Sequence, residues 1–573
     1  MNLHPVLLAG AWRFKKPVGL FLAMAIACCA DAESVNTFPV TITVDASRSL
    51  GELKPIWRFF GAETPNYAYM KDGQKLLGEL GEIGRENNNP VFLRAHHLLT
   101  SGDGAYALKF GSTSAYKENA DGEPVYDWTI NDRIFDACLA HGIKPYVELG
   151  LMPEALSTHR QDYLHNPPKN KRAPIDGGES YPPKDYVKWG NLAYEWAKHC
   201  IERYGRAEVQ RWYWEVWNEP NISYWHGTHA DYFRLYDYGV DGVRRALPAA
   251  KVGGPENAVG AGRGFLGEFL EHCAHGTNFV TGTIGSPLDF ISFHAKGTPV
   301  FTNSHVRMGM AHQFQNIDDA FAVIVKFPEF KNLPVVIGET DPDARGAWCE
   351  PQDAYRNGTM YSSYTAAVFT RERDLAARHG VNLDAAITWA FEFEDQPFFS
   401  GQRTMANNGI DLPVFNVFRM FSKMDGNRVE AKSSTEIPLD DMMRNGVHGA
   451  PDVAALASLG TNQLAVLVWH YHDDDVPGPD AEVELSLDNL PFANGTATLT
   501  HYRIDSEHSN SFEEWKRMGS PTAPTDAQYA QLLKSGQLGE LTAPETVGVE
   551  NGKAIVRLNL PRQAVSLLVL AWN

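Results

Sequence analysis

Between residues 57 and 391 the chain carries eight short apolar runs separated by stretches long enough for helices. This alternation restricts the fold more than any other feature. The runs read as strands at residues 57–61, 91–94, 145–149, 212–217, 251–254, 290–294, 335–338 and 386–391, the fifth being the weakest. Helical patterns lie between them, as at 186–204 and 358–379. Strands alternating with helices over such a length predict a (β/α)₈ TIM barrel, a fold of roughly 250 residues or more.

After about residue 425 helical periodicity is mostly lost. Alternating runs at 453–458, 464–470, 482–487, 497–503, 554–560 and 565–571 replace it, with turn residues between them. These read as a C-terminal β-sandwich, interrupted by one helical insert at 526–534. The β-branched run at 38–44 has no helix after it and is expected to join that sandwich. The expected domains are therefore a leader over 1–32, an N-terminal strand in 33–50, a barrel over 51–425 and the sandwich over 426–573.

The leader is read from Arg13, Lys15 and Lys16 ahead of an apolar run over 18–30, closed by Ala30-Asp31-Ala32. That run is too short to span a bilayer well and fits a secretory signal cleaved near Ala32, so the protein is expected to be secreted or periplasmic. Cys28 and Cys29 allow a lipoprotein reading. Nothing later approaches a membrane span. Cys138, Cys200, Cys273 and Cys349 are scattered, so neither a zinc site nor a disulfide framework is indicated.

Charge excludes further classes. With 51 Lys+Arg against 70 Asp+Glu the net charge is −19, and no basic run occurs. Nucleic acid, anionic membranes and polyanions are poor partners for such a chain unless a local basic pocket overrides the balance. No H-E-x-x-H or G-x-S-x-G is present. Gly262, Gly264 and Gly267 form a G-x-G-x-x-G, but no strand precedes it, and Asp289 stands at the start of a strand rather than at its end. The run Asp473-Asp474-Asp475 reads as a solvated turn. No metal and no cofactor are expected.

Chemistry in a barrel sits where strands end at the C-terminal face. The fourth strand ends in Asn218-Glu219-Pro220 and the seventh in Gly338-Glu339. Two carboxylates facing one another across the mouth are what glycosidic bond cleavage needs, one to protonate the leaving oxygen and one to attack or to activate water. The plainer reading of Glu219 is a capping or ion-pairing carboxylate. Glu148 and Glu256 also end strands at this face.

Here the residues resemble a family. The segments at 60–67 (FGAETPNY), 93–99 (LRAHHLL), 212–221 (WYWEVWNEPN) and 389–394 (WAFEFE) are similar to glycoside hydrolase family 39, over about residues 57–425. The resemblance implies a retaining glycosidase, of the β-xylosidase or α-L-iduronidase type, with an appended β-sandwich. Carried over by position, it implies Glu219 as acid/base and Glu339 as nucleophile, with Asn218 on the sugar 2-hydroxyl. His96, His294, Trp389 and Glu392 or Glu394 would line the sugar subsite, and Arg94 would lie beneath the nucleophile and keep it ionised. Trp214 or Trp217 would wall Glu219 and raise its pKa. His97 departs from the family pattern, which has a small residue there.

The expected activity is that of a secreted β-xylosidase acting on a carbohydrate by double displacement. The alternatives keep the chemistry on an arabinoside, a uronide or an internal polysaccharide bond, or lose catalysis and keep carbohydrate binding. A uronide would want cations about its carboxylate, with Arg58, Lys296, Arg345 and Arg403 as suppliers.

Overall fold

The computed structural model describes residues 36–572 except 170, 261–263, 303 and 390. The leader read over 1–32, with Cys28 and Cys29, lies outside the described residues. Eight parallel strands close a barrel: Phe59–Ala62, Phe92–Ala95, Lys144–Leu149, Tyr213–Val216, Lys251–Ala258, Phe290–Lys296, Val335–Asp341 and Leu383–Thr388. The fifth, weakest in sequence, is among the longest at eight residues. Its Gly-Gly-Pro content disfavours a strand, but pairing with both neighbours overrides local preference.

Helices cover the barrel. One runs Tyr186–Tyr204, with Asp185 as N-cap accepting from the backbone N–H of Val187 and Lys188. Another runs Thr359–His379 and is ended by Gly380 in the left-handed conformation. Most of its residues are buried, because the barrel lies on one side of it and a second layer on the other.

That second layer is a ten-stranded sheet. In order it comprises Gly539–Glu540, Gly495–Ile504, Val565–Ala571, Gln463–Tyr471, Asp452–Leu459, Asn427–Ser433, Thr37–Glu52, Asp480–Asp488 and Ala554–Leu560, with Glu545–Val549 also paired to Gly495–Ile504. The N-terminal strand pairs parallel with Asp480–Asp488 and antiparallel with Asn427–Ser433. One face encloses the sheet's own core, into which Val40, Ile42, Val466, Val468, Leu485 and Leu568 point. The alternate residues of the same strands, Ala465, Leu467, Trp469, Tyr471 and Leu567, belong to the core shared with the barrel helices. Gln463–Tyr471 is buried on both faces, which explains its unbroken apolar sequence.

Among the described residues three helices interrupt this domain, not one: Leu439–Asn445, Ser511–Arg517 and Asp526–Ser535. The first two have seven residues each, too few for an apolar period to show in sequence. Nor is the acidic run a solvated turn. Asp473 and Asp474 are buried, and Asp474 binds Arg307 Nε at 2.6 Å and His305 Nε2 at 3.0 Å. The sheet thereby grips the hairpin Val300–Phe301/Val306–Arg307, which follows the sixth barrel strand.

Polar links reinforce the shared core. Buried Arg371 donates to Glu436 at 2.6 Å and Asp452 at 3.2 Å, and Ser363 donates to Gln563 at 2.6 Å. Barrel and sheet should therefore unfold together. Leu467→Ala should cost about 2–5 kcal/mol and lower a single calorimetric transition. A separate, earlier transition for the sheet would contradict the shared core.

Candidate active site

The site is stacked in layers that follow from strand alternation, since residues two apart share a face. Phe59, Phe92, Tyr146, Tyr213, Phe290 and Val336 fill the barrel with an aromatic and aliphatic plug. Two residues further along stand Arg94, Glu148 and Glu215, all fully buried. Gly61 and Gly338 occupy the matching places on their strands and leave room there. A Cβ on Gly61 would lie 1.7 Å from the Trp389 ring, and one on Gly338 would lie 1.7 Å from Glu256 Oε2.

Arg94 ties this layer to the mouth. Its Nε donates to Glu215 at 2.5 Å, and one terminal nitrogen donates to Glu148 at 3.1 Å and to Asn218 Oδ1 at 3.0 Å. The other terminal nitrogen lies 3.5 Å from Glu339 Oε1. Glu256 accepts from Tyr146 at 3.0 Å. It reaches the interior because the fifth strand bulges between Pro255 and Asn257, with Glu256 at φ 51°.

Above this layer lies a pocket of about 360 Å³. Glu219, Glu339, His294, Lys296, Trp389 and Glu63 form its inner wall. Carboxylate oxygens of Glu219 and Glu339 and a ring nitrogen of His294 lie within 4.8 Å of one another. Three such ligands would also suit a cation, but the Lys296 ammonium already serves both carboxylates, at 3.3 Å from Glu219 Oε1 and in contact with Glu339 Oε2. His294 Nδ1 lies 3.0 Å from Glu219 Oε1, and its Nε2 lies 2.9 Å from Glu256 Oε2. Glu219 is held at φ 42°, with its N–H donated to Glu256 C=O at 3.0 Å. Strained backbone of this kind persists where neighbours enforce it.

Of the residues named from sequence, Glu219, Glu339, His294 and Trp389 line the pocket. Arg94, His96 and Asn218 stand behind that wall. His96 Nε2 is 3.4 Å from Glu148 and 3.7 Å from Glu339, and its ring packs 4.2 Å from that of Trp389. Trp389 Nε1 donates to Glu63 at 2.9 Å. Asn218 Nδ2 has no hydrogen-bond partner among the described residues. His97 turns away to Thr100 Oγ1 at 3.0 Å, and burial lowers its pKa to about 3, so it stays neutral.

Other expectations are corrected. Glu392 and Glu394 do not reach the pocket: Glu392 accepts from Gly409 N–H, and Glu394 accepts from Asp72 and Gly73 N–H at a helix start. The eighth strand ends at Thr388, so alternation no longer governs them. Trp214 and Trp217 face outward into the core shared with the helices. Arg58 donates to Pro90 C=O and lies near Asp384, and Arg345 pairs with Glu350 and Asp353. Lys296 and Arg403 do line the pocket, with Lys109 and Arg172. Lys296 follows His294 by two residues on one strand, a relation visible in sequence. Lys109, on a loop and 3.7 Å from Glu63, left no such signal.

The expected rise in the Glu219 pKa is also reversed. Burial pushes it up, but Lys296 and His294 outweigh burial and hold the carboxyl well below its ordinary range. Glu339 is likewise lowered, against burial, mainly by Lys296 and His294 rather than by Arg94. Burial opposes charge on His294, yet Glu339, Glu219 and Glu256 raise it to about 9. Burial and Glu256 push the Glu215 carboxyl up, against the pull of Arg94.

Residues 40–540 match the sequence model of the glycosyl hydrolases family 39. A beta-xylosidase of Caldicellulosiruptor saccharolyticus is 26% identical over 519 residues, 87% of this chain and 91% of that protein. An alpha-L-iduronidase of Mus musculus is 27% identical over 554 residues, 89% of this chain and 77% of that protein. The crystal structure of a monomeric beta-xylosidase from Caulobacter crescentus superposes with a TM-score of 0.71 at 22% identity, covering 93% of this chain and 99% of that one.

Lys296 is the largest charge lowering both glutamates. Lys296→Met should therefore shift both limbs of kcat/KM against pH upward, as macroscopic values of the pair. An unmoved profile would mean that another cation sets it.

Proposed function

Since the chain belongs to the glycosyl hydrolases of family 39, and so is a glycosidase, we propose that it is a retaining enzyme acting on a sugar that bears a carboxylate. The observation that carries the mechanism is the approach of Glu219 and Glu339 oxygens within 4.8 Å. Such an approach suits the about 5–5.5 Å between carboxyl groups of retaining enzymes better than the about 6.5–9.5 Å of inverting ones. Glu339 attacks the anomeric carbon while Glu219 protonates the leaving oxygen. Glu219 then draws a proton from the water that releases the glycosyl-enzyme. Trp389 offers an apolar face to the ring.

Charge balance supports the uronide. Glu219 must be protonated to act, and Lys296 then loses one of its two carboxylate partners. A mostly buried ammonium in that state calls for a new anion. A substrate carboxylate supplies one, and a local basic pocket of this kind overrides the chain's net charge of −19. The iduronidase relatives favour the same choice. The β-xylosidase relatives favour a second reading, a β-xyloside with no carboxylate in that place. The leader pattern supports export, in which case the mature protein begins near Glu33 by N-terminal sequencing.

Aryl xylosides, arabinosides, glucuronides and iduronides decide between the sugars. A uronide should be cleaved best, and Lys296→Met should lower its kcat/KM by about 10- to 100-fold, more than that of any neutral glycoside. A xyloside cleaved faster, with uronides untouched, would establish the second reading, and no cleavage at all would leave only carbohydrate binding. Glu339→Ala should abolish the glycosyl-enzyme on every substrate. Glu219→Ala should spare the glycosylation step most on dinitrophenyl glycosides, slow release of the glycosyl-enzyme, and form a glycosyl azide with azide. Equal losses on good and poor leaving groups would remove Glu219 as acid.

A further inference from the structure

In the empty pocket Lys296 and His294 favour the ionised form of Glu219, the form that cannot act as an acid. The acid must carry a proton to the leaving oxygen, yet Lys296 and His294 both lie against its Oε1, at 3.3 and 3.0 Å. The second ring nitrogen of His294 is 2.9 Å from Glu256 Oε2, so the imidazole lies between the acid and a carboxylate that does not line the pocket. Glu219, His294 and Glu256 are all buried. Water is thus a poor proton source for Glu219 once a sugar fills the pocket.

We propose that His294 stores the proton that Glu219 delivers, and hands it over when the substrate carboxylate draws Lys296 away. The proposal rests on the reading of Glu219 as acid and of the substrate as an anionic sugar. In the transfer the His294 Nδ1–H bond breaks and the Glu219 Oε1–H bond forms. The bonding electrons stay on Nδ1, and Nε2 keeps its proton, 2.9 Å from Glu256 Oε2. An imidazolium and a carboxylate become a neutral imidazole and a neutral acid, with nothing exchanged with solvent.

The surrounding charges set the direction. His294 faces Glu219 beyond the fourth strand, Glu256 on the fifth and Glu339 on the seventh, with Lys296 on its own strand. Glu219 also feels Lys109 and faces Tyr224. The three carboxylates around His294 keep the ring charged, with a pKa of about 9, while the pocket is empty. Lys296 is the largest charge holding Glu219 ionised. Once the ammonium turns to the substrate, that support is gone, and burial favours the neutral pair.

Proton counting by titration calorimetry in buffers of different ionisation enthalpy tests this. The probe is the phenyl 1-thioglycoside of the sugar cleaved best in the aryl panel, whose sulfur linkage resists hydrolysis. At about pH 7 the wild type should take up close to no protons per ligand bound, and His294→Gln should take up about one, because Glu219 must then draw it from water. Glu256→Gln keeps the ring but removes one of the three carboxylates that hold it charged, and should raise the uptake above that of the wild type. It decides alone where His294→Gln does not fold or bind. Uptake of about one proton by the wild type, or none in every variant that binds, overturns the proposal. A panel with no cleavage, or with cleavage of neutral glycosides alone, removes the uronide reading and this proposal with it. A cleaved panel with the wrong proton count removes the proposal alone.

Discussion

One guanidinium holds the centre of the molecule together. Arg94 has no exposed surface, and Glu148, Glu215, Asn218 and Glu339 all lie around it. Burying that many carboxylates without a cation is prohibitive, and removing one partner from a buried ion pair typically costs about 3–5 kcal/mol. The layer beneath the pocket exists because Arg94 compensates it. Asn218 owes its orientation to the same side chain, and Asn218 precedes Glu219 on the turn that leaves the fourth strand. Arg94 thus sets the foundation, while Lys296 and His294, nearer the mouth, set the charge of the reacting groups.

Much of this was legible from sequence, for physical reasons that also mark its limits. Eight apolar runs gave the barrel because each strand is buried on both faces, and a carboxylate just past such a run stands out. Glu219 and Glu339 were visible on that ground. Positions carried over from the resemblance failed where the strand had already ended, as with Glu392 and Glu394, and strand spacing alone could not place Glu256, because a bulge resets the register there. Alternation also explains why Trp214 faces the helices, since its neighbours Tyr213 and Glu215 point inward. Cations carried on loops, such as Lys109, come to the pocket by tertiary folding alone.

The acid run at 473–475 shows a different limit. Hydrophilic residues in a turn ordinarily mean solvent, yet here Asp474 meets Arg307 and His305 from the barrel side. The hairpin so held follows Gly297 and Thr298, which line the pocket. The sheet is therefore more than a cover for one barrel helix, because it also fixes a segment that leads away from the site. The pairing joins residues 167 positions apart, and no local pattern announces it.

Gly61 and Gly338 offer no functional group, yet each is a void of defined shape. The Trp389 ring occupies one and the Glu256 carboxylate the other. A single added methyl at either would evict a group that the pocket needs, although neither glycine would touch a sugar. Tolerance to substitution in this barrel is thus set by empty volume as much as by chemistry. A scan of the interior should find these two silent positions as intolerant as the glutamates themselves.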